Sequence, residues 1–596
     1  MATPDPRTEY QARLEGWRTK LEEAKRISIR IGNMRLAVVL AAAVLAYFAF
    51  FRNALAGWWL LIPASVFIGF IVEHERIISR REFARRALGY YERGLRRLDD
   101  AWAGTGSRGD EFADPSHVYS GDMDVFGKGS LFELISTART AAGERTLAEW
   151  LLSPAAPAEV RGRQQGVREM HDAVQLREDL ALLGEDIRVG VHVELLTAWG
   201  TAPPVPYFRG ARAAALAIAI ANIATFAAFM AHWLSARPFA AALAVALAVG
   251  FWVRHATDDV MGASETPAHD LQILALLLAR LEHVHFESRL LQRIRAGLDT
   301  QGVAASRCIR RLQRWVELLD SSDHLLVRVI GPALLWRHQA AMGIEAWRRE
   351  TGPSLGRWIQ SIAELEAISS LASFSFEHPS ATYPELAEDG PLFEAEGLCH
   401  PLMSAARCVP NDLALNGERR LLIVSGSNMS GKSTLLRSVG LNAVLAWAGA
   451  PVTAARLRIS PVSVGASIRL VDSLLDNKSR FYAEITRLRQ IVALTEGGDP
   501  ALFLLDELLS GTNSHDRRIG AEAVIRTLLR RGGFGLVTTH DLALTEIQRE
   551  FEALAANVHF EDHLEDGRIS FDYKLRPGIV ERSNALELMR AVGLEV

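Results

Sequence analysis

The run Gly426-Ser427-Asn428-Met429-Ser430-Gly431-Lys432-Ser433 has the G-x-x-x-x-G-K-S spacing that cradles nucleotide phosphates. It follows residues 421–424, an apolar run that reads as a buried strand, and precedes residues 434–445, which read as a helix. In that setting the loop amides and the helix N-terminus present N–H donors to phosphate oxygens. Lys432 brings a positive charge to the β- and γ-phosphates, and Ser433 brings a hydroxyl to Mg²⁺. Gly426 through Thr434 is therefore read as the ATP-binding segment, with ATP and Mg²⁺ as the expected cofactors.

A second apolar run, 502–505, ends in Asp506-Glu507. Asp506 would join Ser433 at the metal, and Glu507 would orient or activate the attacking water. A third, 536–539, delivers His540 one residue past a strand, within reach of a γ-phosphate or its water. Lys432, Glu507 and His540 form the expected catalytic set.

These groups need a scaffold. After Pro379 short apolar runs alternate with helical stretches, which predicts a parallel sheet in an α/β domain over 379–596. Upstream, 131–185 and 271–373 carry helical apolar spacing. Leu274, Leu277, Leu278, Leu281 and Val284, at three-, one-, three- and three-residue steps, share one face. Long helices with few Gly or Pro predict a bundle or lever over 259–378. Residues 104–205 read as a linker, Gly/Asp/Ser-rich to position 120, followed by the start of a helical core.

The chain has 596 residues, a formal charge of -4 and 49% hydrophobic residues with only 23% charged, so its apolar excess must be concentrated. Residues 36–51 and 54–72 are uncharged, interrupted by Arg52-Asn53, and read as a transmembrane hairpin closing an N-terminal unit, 1–103. Residues 213–231 and 239–253 read as a second, Ala-rich hairpin within 206–258, the alternative being buried core helices. Lys20, Lys25, Arg26, Arg30 and Arg35 precede the first span, and Arg76, Arg80, Arg81, Arg85 and Arg86 follow the second. Both flanks are basic, which predicts a multi-pass protein of the inner (cytoplasmic) membrane with its ATPase domain in the cytoplasm. Membrane lipid is thus an expected partner. The near-neutral charge excludes a histone-like DNA coat. The three cysteines, Cys308, Cys399 and Cys408, have no zinc spacing, so no metal cluster is expected.

The segment Ser427-Asn428-Met429-Ser430-Gly431-Lys432-Ser433-Thr434 resembles the nucleotide loop of the MutS family of DNA mismatch repair ATPases. Ser479-Arg480-Phe481-Tyr482-Ala483-Glu484 is similar to that family's Ser-Thr-Phe-x-x-Glu, Asp506-Glu507-Leu508-Leu509-Ser510-Gly511-Thr512 to its Asp-Glu-x-x-x-Gly-Thr, and Thr538-Thr539-His540 to its Thr-Thr-His. His400-Pro401 and Val409-Pro410-Asn411-Asp412 resemble the approach to the same domain. Ser130-Leu131, Thr137, Thr140, Gly143, Arg145, Trp150-Leu151 and Pro154 resemble the start of the family's core and lever, and residues 362–374 resemble the helix returning from the levers.

The expected chain is multidomain: the α-helical transmembrane hairpins read from the uncharged runs, together with the all-α core/lever domain and the C-terminal α/β P-loop ATPase domain of the ABC-like kind that the resemblance implies. The resemblance also implies a homodimer with composite sites, in which Asn428, Lys432 and Ser433 hold phosphate and Mg²⁺, Asp506 completes the metal site and Glu507 is the catalytic carboxylate. His540 would sense the γ-phosphate, and Ser479 would reach the partner's nucleotide. Ser510, Gly511, Thr512 and Asp516 would lie at the dimer interface. Residues 583–594 resemble the family's C-terminal helical return, which implies a complete ATPase domain.

Departures are specific. Ser427 stands for the usual Pro and Ser430 for a common Gly. Cys408 stands where an aromatic often meets adenine, Asn477 for a Gly and Arg480 for Thr in the trans segment. The first 120 residues contain no Phe-x-Glu, the mismatch-reading wedge motif, so action on DNA is left open and mismatch reading is not expected. Two alternatives stand beside a membrane-anchored MutS-like ATPase. One is an ABC-type transport or remodelling ATPase, which would carry Leu-Ser-Gly-Gly-Gln; that signature is absent. The other is a nucleotide-gated membrane scaffold without DNA, whose behaviour would not change in Glu507→Gln.

Overall fold

The computed structural model describes residues 5–52, 55–208, 210–427, 429–468, 480–510, 512–540, 545, 547–551, 553–565 and 568–579. Asn428, Ser479, Gly511, Asn477 and 583–594 lie outside these residues, and so does Asp541, read from sequence as starting a helix.

The chain opens with two long antiparallel helices, Pro6–Ala46 and Leu61–Leu98. Asp5 caps the first, accepting Thr8 N–H at 3.0 Å, with Pro6 in the first turn, where its missing N–H costs nothing. A π-turn, Tyr47–Phe51, and a 3₁₀ turn, Gly57–Leu60, flank the connection. The second arm is shorter than the sequence predicted: helix begins at Leu61 and charge at Glu73, leaving about 18 Å of uncharged α-helix. Among the described residues three segments are long and apolar enough to cross a membrane: Pro6–Phe51, Ala211–Met230 and Ala236–Glu282. Their most apolar windows are only 6%, 17% and 11% buried. The second pair is therefore not a pair of core helices; Leu216, Ile220, Ile223, Phe226, Phe251 and Trp252 all face outward.

The helix Ala236–Glu282 then runs without a break into the helical core, where Leu271, Leu274, Leu277, Leu278 and Leu281 are buried. Pro267 lies inside it and deprives one carbonyl, that of Ala263, of its usual donor. The rest of the core comprises Leu131–Ile135, Ala141–Leu152, Pro157–His171, Val174–Gly190, Val193–Thr201, Arg289–Gly297, Ala305–Asp320, Leu325–Leu334, Trp336–Thr351 and Leu355–Glu377, plus a two-strand turn, β1 (Asp299–Thr300) and β2 (Val303–Ala304). Leu355–Glu377 is buried over nearly its whole length and leads directly into the C-terminal domain. At its middle, Glu366 accepts Arg139 N–H at 3.0 Å, Thr140 N–H at 3.3 Å and the Thr140 hydroxyl. Gly143 and Gly184 admit it: a Cβ at either position would fall 2.1 or 2.8 Å from a Glu366 carboxyl oxygen.

At its end, Glu377 receives the Arg97 guanidinium through two 2.6 Å bonds and the Tyr10 hydroxyl at 3.0 Å. The first helical pair is thus clasped onto the junction between core and C-terminal domain. The Tyr91 hydroxyl donates to Glu178 beside this clasp. Residues 104–120, read as a linker, are packed down: Tyr119 is buried and donates to Leu151 O at 2.7 Å.

Two sheets build the C-terminal domain. Strands β3 (Glu385–Leu386), β4 (Phe393–Leu398), β5 (Asn411–Leu415) and β7 (Arg456–Ile459) form a largely antiparallel sheet in the order β3-β7-β4-β5. Strands β6 (Leu421–Ser425), β8 (Ser463–Ser467), β9 (Ala501–Leu505), β10 (Phe534–Thr539), β11 (Ala555–Glu565) and β12 (Arg568–Pro577) form the second, ordered β12-β11-β6-β10-β9-β8. All its pairs are parallel except β11–β12. That edge departs from the expected parallel sheet because only two residues separate β11 from β12, too few for a crossover. The central strands β6, β9 and β10 are buried throughout, as a sheet covered on both faces requires.

Candidate functional site

Register decides where the chemistry gathers. Ser425 pairs with Thr539, and Val537 with Leu505, so β6, β9 and β10 end at one edge of the sheet. The phosphate loop, Asp506-Glu507 and His540 all leave from that edge, where ligands of open α/β sheets bind. The helix Lys432–Ala448 begins at Gly431, whose φ of 103° lies in the left-handed region. Met429 at φ 72°, Glu507 at 48° and Leu509 at 54° adopt the same region without glycine's freedom, each at a cost of about 1–2 kcal/mol. Strain of this kind gathers around sites that hold reacting groups in place.

Ser433 Oγ donates to Asp506 Oδ2 at 2.5 Å, and Asp506 Oδ1 accepts the Thr538 hydroxyl. Thr538 Oγ1 in turn accepts Glu507 N–H at 3.1 Å. His540 Nδ1 lies 3.3 Å from Glu507 Oε1. Lys432 Nζ bonds the loop carbonyls of Gly426 and Ser427, each at 2.8 Å. Burial pushes the Lys432 ammonium below its ordinary range, while Glu507 and Asp506 pull it back.

The arrangement fits a triphosphate and its metal. Ser427 Oγ and Ser430 Oγ are buried in the loop without a hydrogen-bond partner, and a buried hydroxyl without one is costly. Ser433 and Asp506 form a hydroxyl–carboxylate pair of the kind that holds Mg²⁺ in P-loop proteins. Beside them opens a cavity of about 540 Å³.

Its far wall was not anticipated as part of the site. Phe560 and Tyr573 come from β11 and β12, and His400 from the loop after β4. Tyr573 lies over the loop, its ring 3.2 Å from where a Gly431 Cβ would stand, and Asn411 Nδ2 holds its carbonyl at 3.0 Å. Cys408 lines the same cavity, so an aromatic is present there even though position 408 is not one. Burial and the Arg437 charge hold the His400 imidazole down at about 4, so it is neutral at pH 7. Its Nδ1 accepts Leu402 N–H at 3.2 Å, which assigns the proton to Nε2. His400 and Asn411 were legible only as parts of motifs; Phe560 and Tyr573 carried no signal beyond alternation in the last two strands.

The loop after Glu507 is held from two sides. Glu484, buried, accepts Leu509 N–H, and Arg517 donates to the carbonyls of Leu509, Ser510 and Thr512 at 3.2–3.3 Å. Asn513 caps the next helix, accepting Asp516 N–H at 2.9 Å. Asp516 is exposed, while Ser510 and Thr512 are half-buried. The core braces the phosphate-loop helix: Arg437 bonds Asp124 at 2.8 Å, and Met123 Sδ would lie 2.3 Å from a Cβ at Gly440.

Residues 422–595 match the family described as MutS domain V. The chain is 30% identical over 285 residues to the DNA mismatch repair protein MutS of Geobacillus thermodenitrificans, covering 47% of this chain and 31% of that protein. It is 32% identical over 297 residues to the DNA mismatch repair protein MutS 2 of Halobacterium salinarum, covering 48% and 33%. To the Geobacillus kaustophilus MutS it is 32% identical over 283 residues, covering 46% and 31%. The chain thus spans about a third of the length of the curated relatives it matches.

Proposed function

We propose, on the premise of the match of residues 422–595 to MutS domain V, that the chain is a MutS-family, membrane-anchored ATPase that couples ATP turnover to movement of its helical core. One observation carries the reading: Lys432, Ser433 and Glu507 line a single cavity, with Asp506 bonded to Ser433 and His540 3.3 Å from Glu507.

The phosphates lie along the loop, taking N–H donors from its backbone and from the first turn of Lys432–Ala448. Lys432 exchanges its bonds to the Gly426 and Ser427 carbonyls for phosphate oxygens. Ser433 and Asp506 would hold Mg²⁺, whose charge would stabilise the triphosphate when bound. Glu507 orients the attacking water and accepts its proton, and His540, at hydrogen-bond distance, fixes the Glu507 carboxylate. Asn428, Ser479 and Gly511 have the roles that the family resemblance gives them. The exposed Asp516 and half-buried Ser510 and Thr512 support a homodimer with ATPase domains facing each other.

The outward apolar faces of Ala211–Met230 and of the first part of Ala236–Glu282 support a multi-pass membrane anchor, because an exposed apolar surface of that size in water invites aggregation. The relatives' names carry DNA mismatch repair. DNA enters this proposal as a ligand of the helical core, without mismatch reading.

The test is ATP hydrolysis by full-length protein in detergent, with and without matched, mismatched and branched duplexes at stated salt. We expect turnover in the native chain and a loss of about a hundredfold or more in Glu507→Gln, with ATP still bound. Equal behaviour of the two would overturn the enzyme in favour of a scaffold. Turnover indifferent to every DNA would remove DNA and leave a protein or lipid ligand.

A further inference from the structure

Where the second apolar hairpin joins the core, the structure carries a second cavity, of about 590 Å³ and sharing no lining residue with the first. Three arginines line it: Arg254, one residue past the uncharged stretch, its guanidinium 4.1 Å over the exposed Phe251 ring, Arg328 on the helix Leu325–Leu334, and Arg337 on the next helix. All three residues are exposed. The other titratable groups on its walls are Asp258, 3.9 Å from Arg337, and His338. His338 is occupied, its Nδ1 2.8 Å from Thr257 Oγ1, and burial and Arg337 hold its imidazole below the ordinary range. Three arginines thus share one carboxylate on these walls; Arg337 also borders a neighbouring cavity with Glu265, Glu317 and Asp320, so the surplus of positive charge lies with Arg254 and Arg328 and calls for an anion there.

The surroundings say which anion. Val329 and Ile330, next to Arg328 in sequence, are 73% and 53% exposed. An exposed apolar pair adjoining arginine on a short helix is how a segment lies in a membrane interface. Phe208 packs on Trp252 with ring centroids 5.6 Å apart, and Arg212 lies 4.6 Å over Trp315 of the core helix Ala305–Asp320, so aromatics stand where Ala211–Met230 begins and where the uncharged stretch of Ala236–Glu282 ends. Aromatic belts of this kind mark the headgroup depth.

We propose that the cavity bounded by Arg254, Arg328 and Arg337 binds the phosphate headgroup of an anionic phospholipid, with Val329 and Ile330 seated among the acyl chains beside it. The inference rests on the membrane reading above. It places one lipid per protomer at the joint between membrane segment and core.

Full-length protein in neutral detergent is titrated with phosphatidylglycerol and with phosphatidylcholine, and bound lipid is counted by native mass spectrometry. The native chain should hold one phosphatidylglycerol about tenfold or more tighter than phosphatidylcholine. The triple variant Arg254→Gln, Arg328→Gln, Arg337→Gln should lose that one site while keeping native melting and basal ATP hydrolysis. The corresponding triple Lys variant should keep it. No preference in the native chain, or an unchanged preference in the Gln variant, overturns the site, as does its loss in both variants. Displacement by an equimolar amount of inorganic phosphate overturns the lipid source. A carbonate wash separates the two readings: release of the chain from membranes sinks the anchor itself, whereas a chain that stays without lipid preference sinks the site alone.

Discussion

The two apolar hairpins are attached to the same core by opposite means. The second grows out of it: Ala236–Glu282 is one helix from exposed apolar residues to buried leucines. The first is held by side chains, chiefly Arg97 and Tyr10 on Glu377, with Tyr91 on Glu178. Covalent continuity transmits motion whether or not its surroundings change. A polar clasp transmits only while its partners are aligned, and a buried pair is costly to leave half made. The first hairpin is therefore placed to respond to the last turn of Leu355–Glu377, next to the C-terminal domain, whereas the second is continuous with the core.

The comparison breaks most sharply at Glu377. Glu377→Ala leaves Arg97 buried and unpaired, at an expected cost of about 3–5 kcal/mol. The melting temperature should fall, and trypsin should cut first within the N-terminal helices; equal protection there would refute the clasp. Glu366, on the same helix, sharpens the picture through pH. Burial pushes its carboxyl up to about 7, against about 4.3 in an unfolded chain. The fold favours the protonated form, so its contribution is greatest below about pH 4.3 and declines as pH rises to about 7, by up to ~4 kcal/mol. Melting from pH 5 to 8 should show a steeper decline in the native chain than in Glu366→Gln.

At the second hairpin, Gly250→Val would push a Cβ to 3.0 Å from His338 Nε2 and 3.2 Å from Leu335 Cδ2. We expect a loss of about 1–3 kcal/mol in melting, with ATP affinity unchanged. The smallest effect belongs to Tyr91→Phe, which removes one bond to Glu178 and should cost about 1 kcal/mol.

Much of the phosphate edge was legible because its chemistry is contiguous in sequence: loop, Asp506-Glu507 and His540 each end a short apolar strand. The cavity's other wall was not, since Phe560 and Tyr573 lie more than a hundred residues from the loop and meet it only through strand pairing. The clasp was hidden for a different reason. Arg97 and Glu377 sit among many similar charges, and a solvated pair and a buried pair look alike in sequence. The second arm of the first hairpin misled by its composition, because absence of charge from 54 does not tell where helix begins.

Pro267 gives the long helix a further property. The stretch from Ala236 to Pro267 is about 45 Å long. A bend of about 10° at the carbonyl that Pro267 leaves without a donor would sweep the far end sideways by about 8 Å, nearly the width of a helix. Sub-ångström adjustments in the core would thus be geared up into displacements on the scale of whole side chains at the distal tip.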